Sequence, residues 1–334
     1  MMLDGGMAMP FYALNCPAPV RRNANESITR FRRRLNPYSS LQIFSVVQTD
    51  ENDNLPVSKK ISTPGKSVSK GRAPKPLLVQ PNTVGVIGGV SVISTLLFLE
   101  KLVWWSLKDG QQSIPFVVCS DPALGKGIPP LTSLTTFPAN SSQHAQTDAP
   151  IIEILKQKCV FLEQSGARCL ITPCHLSHRW LGDTSCKLPF LHVGDCVAME
   201  LKEAKLKPLE AGSSVRIGLL ATDAAIVTGF YRERLQNQGF EVVLPDEATI
   251  KHILVPAVEA LNKRDQEGAR NLLRIAVHIL LIRAVNIVIL ASDELLNLLP
   301  PDDPILKKCI DPMDALARAA IKWSRSTGNL HEKA

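Results

Sequence analysis

The feature that most narrows the fold of this chain is a rhythm. Short apolar runs recur, each closed by a glycine, a proline or a polar turn, and each separated from the next by a stretch with helical spacing. The runs are "VGVIGG" (84–89), "PFVVC" (115–119), "CLITP" (169–173), "VRIGLLAT" (215–222), "FEVVLP" (240–245) and the start of "NIVILASDEL" (286–295). Between them lie apolar faces of helical period. Ile151, Leu155, Cys159 and Leu162 form one that ends at Gly166, and Ala269, Leu272, Leu273, Ala276, Val277, Leu280 and Leu281 form another. Runs of four to eight apolar residues alternating with helices predict parallel strands joined by right-handed crossovers.

The rhythm also rhymes. "VGVIGG" corresponds to "RIGLLAT", and "CLITPCHLSH" (169–178) to "IVILASDEL" (287–295), so the second series restates the first. The expected architecture is therefore α/β: two related lobes, each a parallel sheet flanked by helices, with an active-site cleft between them. In open parallel sheets, ligands bind past the carboxyl ends of the strands. The boundaries expected are 81–205 for the first lobe and 214–307 for the second, with a C-terminal helix over 308–326 packing back on the first. Residues 1–80 are expected to be a leader and linker. They carry the cluster Arg30, Arg32, Arg33 and Arg34, followed by "SKKISTPGKSVSKGRAPKP". That composition cannot bury enough apolar area to order itself, and it suits either an organelle transit peptide or a disordered basic tail.

Charge excludes one function class. Residues 1–80 hold twelve Lys and Arg against five Asp and Glu, and so account for the whole net charge of +7. The lobes themselves are neutral and offer no long-range attraction to phosphates, which argues against nucleic acid as a partner. A membrane is not expected either: the longest apolar stretch, 275–291, is interrupted by His278, Arg283 and Asn286 and falls short of the roughly 20 apolar residues of a span. The eight cysteines form no Cys-x-x-Cys pair, so free thiols are expected.

Chemistry concentrates at "CLITPCHLSH", where a strand ends at Pro173 and Cys174, His175, Ser177 and His178 crowd together. A thiol past the end of a buried strand, with polar neighbours, reads as a reactive group; the alternative is a small hydrophobe packed in the core. A metal is not expected, since Cys174, His175 and His178 find no second ligand pair at zinc spacing. Gly85, Gly88 and Gly89 do not make the dinucleotide fingerprint, and read as a tight turn.

Taken together, "GVIGG", "GARCLITPCHLSH", "VRIGLLATDAAIVTGFYRERLQNQGFEVVLPDE", "NIVILASDEL" and "CIDPMDALARAAI" resemble the aspartate/glutamate racemase superfamily, and its plant members most of all. The resemblance runs from Thr83 to about Ser324. It implies a two-lobed, cofactor-independent enzyme, a homodimer, whose two cysteines stand on opposite sides of the substrate's α-carbon. In that family the first cluster reads Pro-Cys-Asn-Thr-x-His and the second Gly-Cys-Thr-Glu. Carried over, Cys174 is the first acid/base, Glu294 and His178 match the family's glutamate and histidine, and Ser292 stands where the second cysteine belongs. A hydroxyl there is either a poor second acid or a mere strand-end group. The resemblance further implies His175, Ser91, Thr95, Thr222 and Lys251 as substrate-binding, the lysine for a side-chain carboxylate. His175 and Leu176 replace the family's Asn-Thr, and Ala224 and Ala225 replace its Gly-Thr.

The function expected is amino-acid racemisation or epimerisation of a small acidic amino acid without pyridoxal phosphate, direction-biased by Ser292. The alternatives are a lyase, decarboxylase or isomerase working through one cysteine, or a protein that binds a dicarboxylate or amino acid without turnover. The compartment expected is the chloroplast, with mitochondrion or cytosol as alternatives.

Overall fold

Apolar runs buried on both faces make parallel ladders when helices cover them, and the chain forms two such sheets. The computed structural model describes residues 80–89, 92–121, 144–175, 177–181, 186–221, 224–292, 295 and 298–332. The leader expected over 1–80 lies outside them up to residue 79, as do Ser91, Thr222 and Glu294.

The first sheet has the order β2-β1-β3, from β1 (Val84–Ile87), β2 (Phe116–Cys119) and β3 (Cys169–Ile171). The second has the order β5-β4-β6-β7, from β4 (Arg216–Leu220), β5 (Glu241–Val243), β6 (Ile287–Leu290) and β7 (Cys309–Ile310). Every pairing is parallel. In each sheet the first strand of the series is central, the second flanks it on one side and the third on the other. The rhyme in the sequence is thus a rhyme in topology, with β7 as an addition to the second sheet.

Side-chain alternation along the strands sorts residues between a shared core and two outer ones. Val84, Val86, Ile171, Ile217, Leu219, Ile287, Ile289 and Ala291 belong to one apolar cluster to which both sheets contribute. Their neighbours turn the other way: Ile87 and Leu170 meet the helix over 144–164, while Leu220, Val288 and Leu290 meet the helices that cover the second sheet.

The helices in chain order are α1 (Val92–Leu107), α2 (His144–Gln164), α3 (Ser177–Leu181), α4 (Val193–Glu203), α5 (Ala224–Asn237), α6 (Val255–Asn262), α7 (Gln266–Ile282) and α8 (Pro312–Glu332). A π-helical turn, Ile250–Leu254, leads into α6. Side chains begin several of these segments by accepting from orphan N–H groups: His192 from Gly194 (3.0 Å), Asp265 from Gly268 (2.8 Å) and, ahead of the π turn, Asp246 from Thr249 (2.7 Å).

The C-terminal helix departs from expectation at its start. Lys308 closes a separate 3-10 turn, Pro304–Lys308, and Cys309 and Ile310 pair with Val288 and Ile289 as β7. Asp311 then caps α8 by accepting from Met313 N–H at 2.8 Å, and Pro312 is the first helical residue, where its missing N–H costs nothing. α8 packs on α1 and α4 of the first series. Arg318 grips Glu200 through three guanidinium bonds, from Nη2 at 2.5 and 2.7 Å and from Nε at 3.2 Å, and lies 4.6 Å from the centre of the Trp105 ring. Lys101, almost fully buried, pairs with Asp311 at 2.7 Å and Asp314 at 3.3 Å, and Trp105 Nε1–H donates to Asp314 at 3.0 Å. Burial and the neighbouring Asp311 raise the pKa of Asp314, against the lowering pull of Lys101. No described helix is long and apolar enough to cross a membrane.

Candidate functional site

The register of the first sheet sets the geometry at its C-terminal edge. Ile87 is level with Cys119, and Val86 with Ile171, so the residues just past β1 sit in the middle of a row of strand ends. Gly88 and Gly89 fill that middle, and both need the absence of a side chain. A Cβ on Gly88 would lie 2.6 Å from Ser120 Oγ, and one on Gly89 2.6 Å from Cys174 Cβ. The glycine pair read as a tight turn is therefore also a close approach: Ser120, Gly88, Gly89 and Cys174 abut in one line. Gly89 N–H donates to Thr95 Oγ1 at 3.0 Å, tying the line to the first turn of α1 and giving buried Thr95 a place beside the thiol.

Cys174 is 1% exposed. Pro173 precedes it and cannot continue the ladder, so the chain leaves the sheet at this thiol. His175, Ser177 and His178, which follow, are also buried. His178 Nε2–H donates to the Thr172 carbonyl at 3.1 Å, which turns the ring back onto the strand end. Its centroid is 4.5 Å from that of His192 and 5.2 Å from Phe190. Phe230 and Tyr231 of α5 close this group from the second series. Phe230 stacks 4.9 Å from His192, and Tyr231 Oη lies 3.5 Å from His175 Nδ1.

These imidazoles are uncharged near neutral pH. Burial lowers the pKa of His175 to about 4, with only a partial upward pull from Asp311. Burial, then Arg234, takes His192 down to about 3. Burial first, and then the other two histidines, takes His178 well below its usual value. Cys169, Cys196 and Cys309 are pushed up to about 12, chiefly by burial, so these three thiols are inert, two of them buried and Cys309 half-buried against the core.

The second sheet offers the matching position. Ser292 is 4% exposed and follows Ala291, whose N–H donates to the Leu220 carbonyl at 2.7 Å as the last rung beyond β6. Because Ile171 and Ala291 belong to one core cluster, Cys174 and Ser292 each leave a strand that borders the shared core. Lys251 is exposed on the π-helical turn beyond β5. Glu294, Ser91 and Thr222 fall outside the described residues. Among the described residues no three His, Cys, Asp or Glu side chains are placed to hold a metal ion.

The structure thus gathers Cys174, His175, His178 and Thr95 in one place, puts Ser292 at the equivalent strand end and leaves Lys251 in solvent. It also adds residues that the sequence reading missed. Ser120 is announced only by the turn signal "SDP"; His192 is a cap before "VGD"; Tyr231 shares an i, i+4 buried stripe with Leu235. Asp311 is the polar residue that ends β7. A thiol beside neutral imidazoles at a dry strand end can exchange protons with a carbon acid, provided that it ionises and that donors receive the negative charge.

Comparison with known proteins identifies a family and a shared fold. A family model described as Asp/Glu/Hydantoin racemase matches residues 87–320. Among solved structures, an aspartate racemase homologue from Pyrococcus horikoshii OT3 is similar at 18% identity and TM-score 0.57, over 73% of this chain and 99% of that one. The Picrophilus torridus aspartate racemase is similar at 22% identity and TM-score 0.54, over 73% and 94%. A candidate Asp/Glu racemase from Yersinia pestis is similar at 23% identity and TM-score 0.55, over 73% and 99%.

Proposed function

The chain belongs to the Asp/Glu/hydantoin racemase family, and on that premise we propose that it is a cofactor-independent racemase or epimerase of a small acidic amino acid. The observation that carries this reading is the position of Cys174: a thiol at a strand end, pressed against the Gly89 backbone and flanked by buried His175.

In this reading the Cys174 thiolate takes the α-proton, becoming a thiol and leaving a carbanion whose charge runs into the substrate carboxylate. The neighbouring imidazoles are neutral near pH 7, so no imidazolium makes the thiolate. Ionisation has to draw on backbone donors and on the substrate's own ammonium group. His178, pinned to the Thr172 carbonyl, holds the strand end rather than moving protons. His175 and Thr95 border the substrate, Ser91 and Thr222 are further substrate-binding residues, and the exposed ammonium of Lys251 meets the acidic substrate as it approaches. Protonation on the opposite face falls to Ser292, helped by Glu294. A hydroxyl is a far weaker acid than a thiol, so the carbanion returns to the Cys174 face more often than it inverts. The equilibrium constant of a racemisation is one, so kcat/KM is equal in the two directions and the bias appears as unequal kcat and KM.

Ser292 favours a second reading of the same site, in which one thiol supports a lyase, decarboxylase or isomerase reaction and inversion never occurs. The compartment proposed is the chloroplast, with residues 1–80 as the leader, and the assembly proposed is a homodimer. Fusion of residues 1–80 to a fluorescent protein tests the first, and sedimentation the second.

The deciding experiment incubates the chain in deuterium oxide with each enantiomer of aspartate and glutamate. NMR follows α-proton exchange and chiral chromatography follows inversion. The reading expects exchange faster than inversion, loss of both in Cys174→Ala, loss of inversion alone in Ser292→Ala and faster inversion in Ser292→Cys. Exchange that survives Cys174→Ala removes the thiol from the mechanism. Exchange with no inversion even in Ser292→Cys selects the one-thiol reading.

A further inference from the structure

One buried cation near the site has no role in the chemistry above. Lys158 lies on α2, on the same face as Ile151 and Leu155, and its side chain is 5% exposed. Its Nζ has no hydrogen-bond partner among the described residues. The charge that faces it is Asp121 Oδ2 at 3.4 Å, on a carboxylate whose side chain is 48% exposed. A desolvated ammonium needs both an opposite charge and hydrogen bonds to be stable. Among the described residues it has a half-solvated ion pair and no hydrogen bond. A buried polar group left in that condition marks a place for a ligand or an ordered water.

Its direction is equally informative. α2 starts on the side of the C-terminal strand edge and runs down the outer face of the sheet. Side chains tilt toward a helix N-terminus, so Lys158 reaches back up to that edge. It meets Asp121 there, one residue beyond Ser120, which abuts Gly88 as Cys174 abuts Gly89. Strands repeat at about 4.8 Å, so the end of β2 is about 10 Å from the end of β3. A four- or five-carbon amino acid with its α-carbon at Cys174 has room to direct its far end toward the β2 side of that row.

We propose that Lys158 is the specificity-determining cation that pairs with the side-chain carboxylate of the acidic substrate, and that Asp121 holds the ammonium in place until the substrate displaces it. The proposal rests on the racemase-type reading of Cys174 and assigns the acidic selectivity to α2 of the first series, not to exposed Lys251.

The test compares full-length parent, Lys158→Gln, Lys158→Arg, Asp121→Asn and Lys251→Gln, using L-aspartate and L-asparagine as substrates for α-proton exchange and succinate as a binding probe in thermal shift. Lys158→Gln is expected to raise KM for aspartate at least tenfold with little change in kcat, to improve asparagine relative to aspartate and to lose the succinate shift. Lys158→Arg retains part of the preference. Asp121→Asn, which removes the competing carboxylate, lowers KM for aspartate. Equal losses for aspartate and asparagine in Lys158→Gln, or selectivity that moves only in Lys251→Gln, overturn the assignment. If Lys158→Gln does not fold, the Arg and Asn variants decide: unchanged KM in both overturns it. Absence of exchange in the parent defeats the racemase reading alone, because the succinate shift and its loss in Lys158→Gln still report on the cation; a shift that persists there defeats the assignment.

Discussion

Substituting Gly89 by alanine tests the site with a single methyl group. The new Cβ would stand 2.6 Å from Cys174 Cβ and 3.5 Å from its Sγ, whereas carbons pack comfortably at about 3.5–4.0 Å. Something must therefore move by about 1 Å. The Gly89 side has little freedom to recede, because its N–H is held by Thr95 Oγ1 and Gly88 is already against Ser120. The displacement falls on Cys174. Overpacking of this kind costs about 1–3 kcal/mol of stability, and a reacting group misplaced by about 1 Å loses on the order of 100-fold in rate. Gly89→Ala is thus expected to melt at lower urea yet remain folded, while α-proton exchange falls far more than the stability change explains. Gly229→Ala is the control: its Cβ meets nothing within 4 Å, and removing a helical glycine adds about 0.5–1 kcal/mol. The reasoning is refuted if Gly89→Ala exchanges substrate at the parental rate.

Other measurements follow from the same contacts. His175 and His192 keep neutral rings down to pKa values of about 4 and about 3 in the fold, against 6.5 when unfolded. The unfolded chain therefore binds more protons as pH falls from 6.5 toward 4. Stability is fully present above that window and declines through it by about 1.4 kcal/mol per pH unit for each histidine. Thermal melts across it are expected to show the slope, and His192→Asn, which keeps a helix cap, to reduce it. Lys101→Ala strands Asp311 and Asp314 without their cation and is expected to cost about 3–5 kcal/mol in urea unfolding; adding Asp314→Asn recovers part of that loss. Arg318→Ala removes both the Glu200 fork and the Trp105 contact and is expected to cost about 1.5–3 kcal/mol, whereas Lys322→Ala, whose partner Glu203 is exposed, costs at most about 1 kcal/mol.

The strands were legible because their signal is local. A buried parallel strand is a short apolar run with a breaker after it, and the pairing of "VGVIGG" with "RIGLLAT" pointed to two related lobes; the order of the strands within each sheet came from the structure. β7 was not legible: two residues cannot show a period, and their strand character comes from the edge of β6 beside them. At the site, Cys174 stood out because a polar cluster interrupts an apolar run. Ser120, Tyr231 and Asp311 did not, because each matters through a neighbour distant in sequence. Tyr231 reaches His175 across 56 positions and Lys101 reaches Asp311 across 210. Gly89 lay between these cases: the glycine was visible, but the close approach that demands it requires β1 and β3 to be paired.

The placement of α8 has a consequence for how the molecule is made. The helix follows the whole second series, yet it supplies Leu316, Ala317 and Ala320 to the core that the first strands share, and its Ser324 hydroxyl closes onto the Asn82 carbonyl 242 positions earlier. On a ribosome, the first series emerges with that surface bare and waits for the whole second series to be made before its cover arrives. Chains arrested before residue 312 are then clients for holding chaperones, with the core that both sheets share left open on the α8 side.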